Sequence, residues 1–165
     1  MKRVVFVVAF ACVLVATAGC LEGDNDEAGE ATTMKMSAFW DDYREGRDNE
    51  TQTAMAVLES FDDGDIVVIE DQLHSVTYNA FENVTVIQFA SHPSTDVTIT
   101  GNITSEFQAG DTVTLTSEII HATFTQQLQG ERWTFHYETF KDGWDTDTNS
   151  RAPFPQMALK HADEG

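Results

Sequence analysis

The chain has 165 residues, of which 28 are Asp or Glu and nine are Lys or Arg, giving a net charge of −19. That length suits one ordinary domain with its own core, and only two cysteines, Cys12 and Cys20, exclude a disulfide framework. The acid excess repels polyanions, so nucleic acid is disfavoured as a partner before any motif is read.

The chain opens with Met1-Lys2-Arg3 and an unbroken apolar run from Val4 to Val15, then exits through Thr17-Ala18-Gly19-Cys20. A positive start, a short apolar stretch and a small-residue exit make residues 1–19 a signal peptide. A spanning helix needs about 20 apolar residues, and this run ends sooner. The small residues before Cys20 resemble the lipobox of secreted lipoproteins, whose cysteine is lipidated and becomes the new N-terminus. That resemblance implies a lipid anchor at Cys20 on the outer face of the cytoplasmic membrane, at the cell surface. Cleavage there leaves 146 of the 165 residues, with 7 basic residues against 28 acids, or −21. Leu21 to Thr33 (LEGDNDEAGEATT) is acidic and poor in apolar residues, so residues 20–33 read as the lipidated cysteine and a disordered tether.

Residues 34–61 read as helical. Met36, Phe39, Trp40 and Tyr43 recur at spacings of three and four, and Ala54, Val57, Leu58 and Phe61 fall at i, i+3, i+4 and i+7. Asp62-Asp63-Gly64-Asp65 stops the second helix. Five strands are expected beyond it, at about 65–78, 83–91, 96–104, 111–124 and 131–141. Val97, Ile99 and Ile103 alternate with polar residues, as do Trp133, Phe135 and Tyr137, and the expected core holds Val97, Ile99, Val113, Leu115, Trp133 and Phe135. The fourth strand changes phase: Val113 and Leu115 are odd-numbered, while Ile120, Ala122 and Phe124 are even. A bulge or sharp bend explains such a change. Residues 143–165 read as an acidic, irregular tail.

Five strands with long, bent first and fourth members suggest a small barrel, of which the OB-fold is one kind. Asp62-Asp63-Gly64-Asp65-Ile66-Val67-Val68-Ile69 and Ala109-Gly110-Asp111-Thr112-Val113-Thr114-Leu115 resemble the first and fourth strand openings of archaeal OB-fold lipoproteins, similar to the anticodon-binding-like OB group. The scarcity of lysine after the leader (Lys35, Lys141 and Lys160) likewise resembles proteins of salt-loving archaea. These resemblances imply a mainly β chain: a five-stranded OB-like barrel over residues 62–142, preceded by one or two short helices, in a halophilic lipoprotein family of unknown function. OB ligands lie across the second and third strands and the neighbouring loops, which here hold Phe81, Gln88, Thr98, Thr100, Gln126 and Gln127. A basic groove to follow a phosphate backbone is missing among them.

Asn49, Asn83 and Asn102 each open an Asn-X-Thr sequon, marking possible N-glycosylation in an exported chain. Asp145-Thr146-Asp147-Thr148-Asn149 has the first spacings of a calcium loop but lacks its sixth-position glycine and twelfth-position glutamate, so it reads as solvated tail. The histidines at 74, 92, 121, 136 and 161 form no metal-ligand motif, although His121 and His136 lie on adjoining strands and are placed to meet. No metal and no cofactor is expected. Nor is there a GxSxG elbow or a mature cysteine nucleophile. The leading expectation is a membrane-anchored binding or interaction module, not an enzyme, for a protein, glycan or solute ligand. Its rivals are an exported histidine- or metal-dependent hydrolase using His74, His121 or His136, and an accessory subunit of a cell-surface complex.

Overall fold

The computed structural model describes residues 31–164. The expected signal peptide, Cys20 and most of the expected tether therefore lie outside the described residues. In chain order the strands and helix are β1 (Thr32–Met34), α1 (Met36–Asp41), β2 (Tyr43–Asp48), β3 (Thr53–Leu58), β4 (Ile66–Asn79), β5 (Val84–Phe89), β6 (His92–Thr100), β7 (Thr112–Leu128), β8 (Glu131–Phe140), β9 (Trp144–Asp145), β10 (Ser150–Arg151) and β11 (Leu159–His161). The chain is mainly β, and the five expected strands appear as β4 to β8.

These strands belong to an open nine-stranded sheet, not a closed five-stranded barrel. Its main order is β2-β3-β8-β7-β4-β5-β6, with β1 added beside β4 and β11 beside β7. Closing β4 to β8 into a barrel would require the outer edges of β6 and β8 to pair. The outer edge of β8 instead carries β3, in parallel register from Thr53–Thr134 to Ala56–Tyr137. The outer edge of β6 is bonded by Phe154, which donates its N–H to Thr98 and accepts from Thr100, both at 2.8 Å. Each edge is occupied, so the barrel cannot shut.

The second expected helix is therefore a strand. Ala54, Ala56 and Leu58 also alternate, and Ala54 and Leu58 are buried in β3. Asp48 makes the turn between β2 and β3, its Oδ1 accepting the N–H groups of Glu50 at 2.9 Å and Thr51 at 3.3 Å. Pairing with both β2 and β8 outweighs a weak helical periodicity. The first expected helix survives as α1, whose Met36 and Phe39 plug the core while Trp40 faces its rim.

The phase change in β7 marks a change of partner. Its residues 112–118 pair with β4 and 119–128 with β8, each in unbroken register. Burial follows odd positions to Ile119 and then moves to Ala122. The register shifts lie elsewhere, between Leu73 and Ser75 in β4 and between Ile87 and Phe89 in β5. Val97, Ile99, Val113 and Leu115 join the main core as expected. Trp133 is buried outside that cluster, and Phe135 is half-exposed.

The two ends of the chain also depart from expectation. Thr32 and Thr33, read as tether, pair with β4 in β1. The segment after residue 143, read as solvated tail, packs as a strap with Phe154, Ala158 and Leu159 buried. The Phe154 ring lies so close to Gly143 that a Cβ there would sit 2.6 Å from it. Gly101 ends β6 with φ +80°, and a Cβ would meet the Gln156 amide at 2.5 Å.

Candidate functional site, an aromatic row beside a shallow cleft

Where α1 runs into β2, the strap and the edge of β8 face the same space. Trp40 stands 5.2 Å from Tyr43 between ring centroids and stacks on His92 at 5.8 Å. Tyr43 stacks on Tyr137 at 6.2 Å, and Tyr137 lies 5.5 Å from Trp144. Trp144 then meets Phe124 at 6.1 Å, and Phe124 stacks on Phe135 at 5.2 Å. Seven rings thus form one continuous row, and every one is half-buried. A row built only to fill the core would be covered. This one keeps ring surface in water, which favours a binding role.

Strand pairing sets the row. Ala122 faces Tyr137 and Phe124 faces Phe135 across β7 and β8, while the residues between them, His121, Thr123, His136 and Glu138, fall on the opposite side. The row's near end opens into a cleft of about 80 Å³ with Phe39, Trp40, Tyr43, Tyr137, Phe140 and Phe154 as its apolar lining. Thr95, Asp96, Thr98 and Arg151 supply its polar side. Pockets that enclose a small molecule run to about 300–1,000 Å³. A cleft this small grips part of a larger ligand lying along the row.

Burial, and after it the neighbouring Tyr137, push the Tyr43 hydroxyl well above the usual phenol range. It stays protonated and donates to the Glu138 carbonyl at 2.5 Å, which pins the middle of the row. Among the described residues the indole N–H groups of Trp40 and Trp144 are buried with no hydrogen-bond acceptor. An unsatisfied buried donor costs about 1–3 kcal/mol, which a ligand oxygen reaching either indole would recover.

The six ligand-facing positions inferred from the OB resemblance are not brought together. Phe81 sits 98% exposed in the turn between β4 and β5. Gln88, on β5, donates to Asp96 at 2.8 Å and accepts from Ser75 at 2.8 Å. Thr98 reaches the cleft, and Thr100 is exposed at the end of β6. Gln126 and Gln127 lie near the far tip of the β7–β8 hairpin. Only Thr98 coincides with the cleft, because the open sheet separates positions that a barrel would gather.

Asn49, Asn83 and Asn102 are all exposed. The Thr85 hydroxyl of the second sequon is fully buried, donating to Gly101 at 2.7 Å and accepting from Ile103 at 3.2 Å. Asp145 serves as a turn former, its Oδ1 accepting from Asp147 at 2.9 Å.

His121 and His136 do meet, with His121 Nε2 3.2 Å from His136 Nδ1. Glu138 Oε1 lies 3.3 Å from His121 Nδ1. Among the described residues, the only hydroxyl bonded to the side chains of this group is that of Thr123, 3.4 Å from the same His136 Nδ1 that faces His121. A nucleophilic triad needs the base to hold the nucleophile on one ring nitrogen and the orienting acid on the other, and this geometry does not do so. Among the described residues no group of three or more His, Cys, Asp or Glu side chains converges as a ligand set.

Comparison with protein-family models, curated proteins and solved structures returned no match. Among the described residues no helix is long and apolar enough to cross a membrane. Trp40, Tyr43, Phe124 and Trp144 were not legible as site residues in the sequence, and their only signal was the spacing of three between Trp40 and Tyr43.

Proposed function

We propose that the protein is a lipid-anchored, extracytoplasmic binding module whose aromatic row holds an extended, uncharged glycan. The observation that carries this reading is the row of seven half-exposed rings running from His92 to Phe135. A sugar ring has an apolar C–H face that lies flat on an aromatic ring, and a rim of hydroxyls that needs donors and acceptors. Here the rings are flanked by Thr95, Asp96, Thr98 and Arg151. The net charge of −19 favours neutral over anionic glycans. The leader and Cys20 support placement at the cell surface, where glycans are met.

The test is calorimetric titration of the full chain, in detergent and molar KCl, with neutral oligosaccharides of increasing length. Affinity that rises with each added sugar and then levels off supports the reading. No heat with any length, or equal affinity from a single sugar upward, overturns it.

A further inference from the structure

The side of the β7–β8 ladder opposite the aromatic row carries a second constellation. We propose that His121 and His136 form a two-imidazole site for a divalent late transition-metal cation, with Cu²⁺ the tightest binder. His121 Nε2 and His136 Nδ1 are 3.2 Å apart. Metal–imidazole bonds of about 2.0–2.1 Å spanning that gap would subtend about 100°, between the square-planar and tetrahedral angles. Thr123 Oγ1, 3.4 Å from His136 Nδ1, adds a third heteroatom on the same side, and solvent would complete the coordination.

Glu138 makes the pair more than a chance meeting of surface histidines. Its side chain is 13% exposed and spans three strands. Oε2 accepts the Leu58 N–H of β3 at 2.7 Å, while Oε1 faces His121 Nδ1 of β7 at 3.3 Å. A carboxylate on one ring nitrogen keeps the proton there and turns the lone pair of the other outward, the usual support of a metal-bound histidine. Asp63 Oδ1 accepts the His121 N–H at 2.8 Å, fixing its backbone and adding negative charge. Imidazole donors suit copper, nickel and zinc, and the order of affinities among divalent ions peaks at copper. The sequence offers no motif for this site because its donors lie fifteen residues apart, joined only by the register of β7 and β8.

The test is Cu²⁺ titration of the full chain followed by electron paramagnetic resonance. The expected result is one tightly bound ion whose spectrum carries coupling to two imidazole nitrogens. His121→Gln and His136→Gln should each lower affinity at least tenfold. Glu138→Gln should lower it 10- to 100-fold while the two-nitrogen spectrum persists at saturation. His74→Gln, an exposed histidine on β4, should change nothing. Protection of two histidines from carbethoxylation by Cu²⁺ in the unmodified chain gives a readout that needs no variant. Equal binding by the unmodified chain and a His121→Gln/His136→Gln double variant, or no protection, would overturn the proposal.

Discussion

Replacing Phe154 by alanine tests whether residues 143–164 belong to the fold. The ring is 5% exposed, presses against Gly143 and meets Phe140 edge-on at 5.8 Å. Its backbone closes the outer edge of β6 through two 2.8 Å hydrogen bonds, and the alanine variant would keep them. The loss is therefore the ring's burial and the cavity it leaves, about 3–5 kcal/mol for a buried Phe→Ala change. For a domain of this size that corresponds to a fall in Tm on the order of 10–20 °C. Urea unfolding followed by circular dichroism measures it, and a lower midpoint at unchanged slope would mark a pure stability loss. Met157, 79% exposed on the same strap, supplies the control, because Met157→Ser should be nearly silent. A change below about 1 kcal/mol for Phe154→Ala would refute the packing argument and return residues 143–164 to a solvated tail.

The Tm should rise steeply from low salt to molar KCl, since screening of the −19 charge and stronger apolar burial act in the same direction. A Tm indifferent to salt in thermal scans would remove the halophile argument. Cys20→Ser should shift the protein from the membrane fraction to the medium or block its processing, as read by fractionation and mass spectrometry. Hydrogen bonds to Thr51 and Glu50 hold the Asp48 carboxyl below the usual carboxylate range. Its stabilisation of the β2–β3 turn is thus fully present above the unfolded carboxylate pKa and is lost as pH falls through the lower folded value. A carbon-13 titration should place the Asp48 midpoint below that of free aspartate, and an unshifted midpoint would count against the turn geometry.

Much of the fold was legible where burial is one-sided and local. The alternation of Val97 and Ile99, and of Val113 and Leu115, placed those strands and their inward faces correctly. The β3 segment was misread because Ala54, Val57, Leu58 and Phe61 satisfy helical spacing while Ala54, Ala56 and Leu58 satisfy strand spacing. The edge of β8 decides between them, 81 residues away in sequence at each pair. The same distant pairing defeated the barrel, since only the three-dimensional arrangement places β3 where a closing strand would go. The strap was hidden by composition: Phe154, Ala158 and Leu159 are few among polar residues, yet each is buried. The aromatic row draws Trp40, Tyr43, Phe124, Tyr137 and Trp144 from separate segments, so no single stretch of sequence displays it. The meeting of His121 and His136 was foreseeable, because adjoining antiparallel strands fix which residues face each other.

The most direct test of the glycan-binding account is titration of Tyr137→Ala and Trp144→Ala, against a Phe81→Ala control, with the longest neutral oligosaccharide that the unmodified chain binds. Melting curves would first establish that all three variants are folded. Each row substitution should lower affinity at least tenfold, about 1.4 kcal/mol or more, while Phe81→Ala leaves it unchanged. Full affinity in both row variants, or an equal loss in Phe81→Ala, would contradict glycan binding along the row.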